Sequence, residues 1–539
     1  MKMKLKKVYT LVLALILVLS VGCGQSTEDG KEQTQAEQTN QHDDSQGADI
    51  PTYTIATVRW TDAWPTDYLE SGVMKELEEK HNININWEVY YASDWEEQKS
   101  LLLASGDLPD AFFGSICLND SDLTINKNRF LELTDLIETN MPNLAKIFDE
   151  DPVMKAMAMN REGEIYSLVK KLPLRPTVAN SMYINKEWLD NLGLEVPTTY
   201  EELADVLITF ANEDADGDGD KNNEIPYTNA GSLLGDMNNL LAPFRLIGSR
   251  VGNYMQLDKN GNPSFVPTTE EYKTAVKWAH ELYKNGALDP EYFTQDASMA
   301  TAKRTAEGGA KTGLVFAWTA DSEMGSNAEQ FILCEALEGP DGERYVEADP
   351  TFLDIANREL VISKDCNQPE KLLQWADEFY TDLVSLQTYY GSIPNQIKDN
   401  GDGTYEVLLP SDGTSFDTSA WSNSMRDFGP KYMSEDFQDE ITLPETEGDG
   451  VKLLENQVNA KYAKNVVFPV VKYTEEQAET MAYLATDIYK YIESQYAMWV
   501  VEGGIDETWD GYIEQLNAMG LEELLEIQKD AYQAYINVE

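Results

Sequence analysis

The sequence predicts an α/β protein of two or more lobes with a helical C-terminal part. From Tyr53 to Phe113 apolar strand signals alternate with helical stretches. The chain has 539 residues, more than one hydrophobic core usually holds, so the body divides. Thr474 to Ile536 reads as helix with few interruptions.

Each element has a local reason. Tyr53 to Val58 alternates as a strand and runs into Arg59-Trp60-Thr61-Asp62-Ala63-Trp64-Pro65. Leu69 to His81 is helical, Ile83 to Tyr90 is a second strand, and Asp94 to Ala104 is helical again before the apolar run Ala111-Phe112-Phe113. That order predicts a parallel sheet, and ligands of such sheets bind beyond the carboxyl ends of the strands. Trp60, Trp64, Gly114 and Ser115 fall there. Asp110 either hydrogen-bonds a ligand or caps the following turn. Lys127 to Asn140 is another helical stretch, and Glu162 to Leu168 reads as a turn and strand.

The segment from Ser181 to Thr228 is the most informative. Met182-Tyr183-Ile184 is an apolar strand; Asn185 caps a short helix with Trp188, Leu189 and Leu192 on one face, and Gly193 closes it. A second helix follows Pro197-Thr198-Thr199, with capping-box spacing between Thr198 and Glu201 and an apolar stripe of Tyr200, Leu203, Val206, Leu207 and Phe210. Directly after it come Asp214, Asp216, Asp218 and Asp220, where negative charge opposes the helix dipole. A structural Ca2+ ion held by these residues with Asn222 and Glu224 would offset the repulsion, and Gly217 and Gly219 permit the curl. Counting Asp214 as position one puts Gly219 at six and Asn222 at nine of an EF-hand loop, with Ile225 rather than Glu at twelve. A solvated acidic turn is the other reading.

Further on, Glu270 to Asn285 is an amphipathic helix with Ala275, Trp278, Ala279 and Leu282 inward, closed by Gly286. Thr312 to Trp318 is a buried strand ending in an aromatic tip, and Pro369 opens a helix with Leu372, Leu373, Ala376 and Phe379 on one side. Residues 400–450 are rich in Gly, Asp, Ser and Pro and read as a looped insertion with a short strand near Tyr405; Trp421 in it either reaches a cleft or anchors the loop. Two helices are expected at the end, Ala478 to Tyr496 and one starting at Asp510.

The first residues are basic, then apolar from Leu11 to Leu19, which fits an export signal over residues 1–22 and is short for a membrane span. Cys23 follows Val21-Gly22 as in a lipobox, which predicts lipidation and attachment to the membrane. Gly24 to Asp49 has no Ile, Leu, Val or aromatic residue and reads as a tether reaching roughly 28 Å.

Composition narrows function. A formal net charge of −54 repels nucleic acid and tilts recognition toward neutral ligands. Beyond Cys23 only Cys117, Cys334 and Cys366 remain, so no disulfide framework is required. Of three histidines His42 lies in the tether, and neither His81 nor His280 has a metal-ligand neighbour at helical spacing. Nothing carries a catalytic signature, whereas 28 tyrosines and 11 tryptophans suit sugar recognition, in which the CH-rich face of a sugar packs on a ring. Trp60, Trp64 and Trp318 at strand ends are the candidate stacking residues. Tyr183 and Trp278 are candidates as well, and Trp95 and Trp188 are expected in the core.

The motifs GDLPDAFF, NREGEIYSL and SMYINKEWLDNLGLEVPTTYEELADVL, in that order, resemble the extracellular solute-binding proteins of family 1, lipoprotein receptors of ABC sugar importers. The resemblance implies a two-lobe fold of the periplasmic-binding-protein type with discontinuous lobes. It would place residues 50–183 and 359–420 in the first lobe and 184–358 and 421–539 in the second, with crossings near Tyr183 and Leu360-Val361-Ile362. It further implies a monomer that captures an oligosaccharide and delivers it to ABC permease subunits without turnover. It also implies that the loop ending in Glu224-Ile225-Pro226 is a calcium loop and that the strand ending in Trp318 reaches the cleft. A tethered glycosidase or lyase is the alternative class, and an adhesive surface protein a weaker one.

Overall fold

The computed structural model describes residues 50–172, 174–248, 253–348, 355–464 and 466–536. The expected signal peptide, Cys23 and the tether lie outside the described residues.

Two main sheets organise the body. Their strands are β1 (Thr52–Arg59), β2 (Asn84–Tyr91), β3 (Ala111–Phe113), β4 (Leu168–Lys171), β5 (Ser181–Asn185), β6 (Ile225–Tyr227), β7 (Thr312–Ala317), β8 (Phe331–Leu333), β9 (Ile355–Ile362) and β10 (Lys431–Tyr432). The larger sheet has the order β10-β4-β9-β3-β1-β2 and the smaller β8-β5-β7-β6. β1 pairs in parallel with both β2 and β3, as the alternation of strands and helices predicts. Alternate residues of β1 feed different cores: Tyr53 and Ile55 join Leu77, Leu144 and Trp375, while Ala56 and Val58 join Trp95, Phe112 and Phe130. Both faces are covered, so the strand is buried from Ile55 to Arg59, with Thr57 and Arg59 included.

The smaller sheet carries the second core. Asn185 caps its helix by accepting from the Trp188 amide at 3.1 Å, and Gly193 closes it at φ 65°. The next helix, Tyr200–Asn212, is capped by Thr199 rather than Thr198, and Glu202 instead of Glu201 reaches back to the Thr198 amide and hydroxyl at 2.8 Å each. The cap sits one residue later than the spacing suggested. Leu203, Leu207 and Phe210 pack with Trp188 and with Ala275, Ala279 and Leu282 of the helix Glu270–Lys284. Gly313 makes this approach possible: a Cβ there would lie 2.5 Å from the Phe210 ring. The same core takes Leu484, Ile488, Ile492 and Trp499 from the helix Glu475–Glu502.

The chain changes sheet shortly before the residues at which the crossings are expected. Tyr183 is already paired with Val315 and Leu333 in the smaller sheet, so the first crossing precedes Ser181. Leu360 is paired with Phe113 in the larger sheet, so the second crossing precedes Ile355. Lys431–Tyr432 returns to the larger sheet beside β4, although it falls within the 421–539 stretch expected in the second lobe. Residues 400–450 are more ordered than their composition suggests. Tyr405–Val407 pairs with Ile397–Asp399 and with Ile441–Thr442, and Phe416–Asn423 is a helix. The C-terminal part forms three helices, Glu475–Glu502, Ile505–Ala518 and Leu521–Ile536, broken at Gly503-Gly504 and at Gly520, all at positive φ.

Candidate functional site: an aromatic cleft and an acidic loop

Beyond the carboxyl end of β1 the chain presents Trp60 at 53% exposure, its ring 5.9 Å from that of Phe428. Trp64 stacks on Trp421 at 5.1 Å and 11°, and Trp421 meets Phe428 edge-on at 5.6 Å. Arg59, the last residue of β1, is buried beneath them. Its guanidinium lies 5.3 Å from the Trp421 ring centre and donates to the Trp421 carbonyl. Four rings thus form one group, held from below by a buried cation.

Polar residues link the group to the smaller sheet. Arg175, in the first crossing, donates to the Tyr389 hydroxyl at 2.6 Å, approaches Asp427 at 3.7 Å and lies 4.8 Å from the Trp318 ring centre. It therefore connects the aromatic group, whose Phe428 follows Asp427, with the tip of β7. The Lys452 ammonium also lies over Trp318, at 4.9 Å, and burial pushes it down to about 8. Tyr183 donates to Glu455 at 2.5 Å; burial raises both the phenol and the carboxyl. Arg426 makes a bidentate pair with Asp449 at 2.9 Å on each arm, and burial pushes the nearby Asp417 carboxyl up to about 6.

The expected site residues separate into three groups. Trp60 and Trp64 lie in the aromatic group, and Trp318 and Tyr183 lie across Arg175 from it, with cations over the Trp318 ring. Ser115 follows β3 at the same end of the sheet, its amide 3.2 Å from Glu359 Oε2. Asp110 and Trp278 are elsewhere. Asp110 precedes β3, at the opposite strand end, and accepts from the Thr54 amide at 2.8 Å. Trp278 packs between Tyr200 and Phe244, at 6.3 and 5.3 Å. Trp95 and Trp188 are buried, as expected of core residues.

In the acidic loop, oxygens of Asp214, Asp216 and Asp218 lie within 4.8 Å of one another. Buried oxygens of Asp214 (Oδ1), Asn223 (Oδ1) and Glu224 (Oε2) have no hydrogen-bond partner, which fits a set of oxygen donors for a hard cation. Lys311, just before β7, offsets part of the charge, at 2.9 Å from Asp216 and 3.5 Å from Asp218. Gly217 and Gly219 take φ of 74° and 94°, the curl the loop needs. Asp220 and Asn222 bond to each other in the exposed part, and Asn223 turns in where Asn222 was expected.

Residues 62–382 match the sequence profile of the bacterial extracellular solute-binding proteins. The chain belongs to that family. It is 31% identical over 486 residues to the fructooligosaccharide ABC transporter substrate-binding protein FusA of Streptococcus pneumoniae, covering 87% of this chain and 88% of FusA. A polygalacturonan/rhamnogalacturonan-binding protein of Bacillus subtilis, YtcQ, is 25% identical over 59% of this chain and 61% of its own length. Among solved structures, FusA in complex with kestose superposes with a TM-score of 0.79 at 29% identity, over 90% of this chain and all of FusA. An EF-hand mutant of FusA in complex with fructo-nystose gives 0.78 over the same shares. The relatives are transport binding proteins, which agrees with the expectation of no catalysis and sets aside the tethered-enzyme alternative. No helix among the described residues is long and apolar enough to cross a membrane.

Several residues of the candidate site in this solute-binding protein carry no sequence signal that would single them out. Arg59, Arg175, Phe428 and the pair Lys452 and Glu455, which share the helix Gly448–Asn459, come from four separate stretches. The last three follow Asn400, where the composition suggests loops. A local density of aromatic and basic residues between Trp421 and Tyr432 is the one cue that was there to find.

Proposed function

We propose that this chain is a substrate-binding lipoprotein of an ABC importer, capturing a neutral oligosaccharide between two lobes and releasing it intact to a membrane permease. The observation that carries the reading is the solvent-facing Trp60 beside the stacked Trp64–Trp421 pair, rimmed by Arg175 and Asp427 at the end of β1. Rings offer a surface for the apolar faces of successive sugar units, and the charged groups supply hydrogen bonds to hydroxyls. FusA's description as a fructooligosaccharide receptor favours a fructose-based ligand. Asp214, Asp216, Asp218, Asn223 and Glu224 hold a calcium ion that stiffens the lobe of the smaller sheet. Cys23 carries the lipid anchor, and Cys23→Ala should release the protein from the membrane fraction to the medium.

The test is thermal unfolding of residues 50–539 with kestose, fructo-nystose, an anionic oligosaccharide and a peptide, followed by recovery of the ligand. Kestose or fructo-nystose at a hundredfold excess over its dissociation constant stabilises by about 2.7 kcal/mol. Intact recovery is expected; cleaved sugar, or stabilisation by the anionic ligand or peptide alone, overturns the reading. Repeating the scan with a strong chelator should lower the midpoint, and Asp214→Asn should abolish that difference. A chelator-insensitive midpoint removes the calcium site.

A further inference from the structure

Strand β9, which brings the chain into the larger sheet, contains an irregularity. Its register against β4 shifts between Ala356 and Leu360, and Arg358 within it has φ of 66°. A bulge of this kind re-aims side chains, and a non-glycine residue at positive φ persists only where its surroundings hold it. Here the surroundings are specific. Arg358 pairs with Asp120 at 2.7 Å and its amide donates to Ser167 at 3.2 Å, while Asn357 donates to Asp120 at 3.2 Å.

The residue re-aimed is Glu359, a fully buried carboxylate beneath the aromatic group. Its Oε2 accepts from the amides of Ser115, at 3.2 Å, and Gly429, at 2.8 Å, and its Oε1 pairs with Lys170 at 2.8 Å. Its backbone carbonyl accepts from Gly114 at 2.8 Å. Gly114, Lys170 and Gly429 adjoin Phe428. Gly429 follows it, Lys170 donates to the Asp427 carbonyl before it, and Lys431 donates to its own carbonyl. Gly114 packs against it so closely that a Cβ would lie 3.2 Å from that of Phe428. Phe428 in turn touches both Trp60 and Trp421.

We propose that Glu359 is a positioning residue for the sugar site: it fixes the loops on both sides of Phe428 and thereby sets the spacing of Trp60 and Trp421. The inference rests on the reading of these rings as the ligand surface. A carboxylate suits the task because one oxygen takes two amides in fixed directions while the other lies beside a cation, with which it forms an ion pair. β9 is also where the chain arrives from the smaller sheet, so the same short segment ties the crossing to the rings.

The test is a double-mutant cycle on kestose affinity by calorimetry, using Glu359→Gln, Phe428→Ala and the pair. Glu359→Gln is expected to weaken binding about tenfold in the parent, and less than twofold once Phe428 is already alanine. Lys170→Met combined with Glu359→Gln removes the buried charge imbalance should the single variant fold poorly, and it should show the same tenfold loss. An equal loss in both backgrounds, or unchanged affinity with a lowered melting midpoint, makes Glu359 a structural residue only and overturns the proposal. Phe428→Ala binding as tightly as the parent overturns the ring surface itself, and the role of Glu359 falls with it.

Discussion

Trp60→Ala is expected to weaken kestose binding about 30-fold, equivalent to about 2 kcal/mol, while leaving the melting midpoint of the free protein almost unchanged. The indole is 53% exposed and its one described ring contact, with Phe428, is tilted, so folding gains little from it. A substitution at such a site usually alters stability by less than about 0.5 kcal/mol. A bound sugar gains what folding does not: the ring face is pre-positioned, and covering it removes apolar surface from water. Trp278→Ala is the contrasting control. That ring packs between Tyr200 and Phe244 on the core helix Glu270–Lys284, so its loss should cost about 3 kcal/mol of stability without lowering the affinity of the folded protein. Calorimetry and chemical denaturation on the two variants separate the roles. Unchanged affinity in Trp60→Ala would remove Trp60 from the site.

Asp449→Ala should cost about 3–5 kcal/mol of stability, among the largest effects of any single substitution in the chain. Asp449 and Arg426 are both buried, at 2% and 3% exposure, and joined by two hydrogen bonds of 2.9 Å. The Tyr390 hydroxyl also donates to Asp449 at 2.9 Å, and the guanidinium lies over the rings of Tyr389 and Tyr390. Removing the carboxylate leaves a buried cation whose desolvation is no longer offset. The pair Arg426→Met with Asp449→Leu should recover most of the loss, because exchanging both charges for apolar groups removes the desolvation cost along with the attraction. Urea denaturation measures each variant. A single-variant loss below about 1 kcal/mol would show that water reaches the guanidinium.

The second effect reaches the ligand site through one helix. Asp449, Lys452, Glu455 and Asn459 recur at three- and four-residue spacing on the helix Gly448–Asn459 and share one face. Asp449 grips Arg426, Lys452 lies over Trp318, Glu455 accepts from Tyr183, and Asn459 donates to the Cys334 carbonyl at 3.0 Å. A polar face turned inward is unusual for a helix in this part of a domain. It joins the rings packed around Arg426 to the smaller sheet, beside the residues proposed to meet the sugar.

How much of this was legible follows from the range of each interaction. Local signals fixed the elements near them: the alternation of Tyr53–Val58 gave a parallel strand, Asn185 and Gly193 bounded a helix, and the aspartates after Asn212 gave a loop with converging oxygens. Trp60 and Trp64 follow the end of β1, as expected, because a strand end is a position that sequence can specify. The single-residue error at Thr198 came from two adjacent threonines, between which only backbone geometry chooses. The sequence reads as two C-terminal helices rather than three because the break at Gly520 is short and its flanks remain helical.

By itself, then, the sequence determined the fold class, the family, the acidic loop and the strand-end tryptophans, since each depends on residues within a few positions of one another. The tertiary structure alone decided the partners. Trp421 comes to stack on Trp64 from 357 residues further along the chain, Arg175 spans from Asp427 to Trp318, and Glu359 gathers Ser115, Lys170 and Gly429 around a bulge. Such contacts are set by how strands pair and where the chain crosses between sheets. Pairing register has no local code, because any apolar strand of suitable length can lie beside another until the whole core is packed.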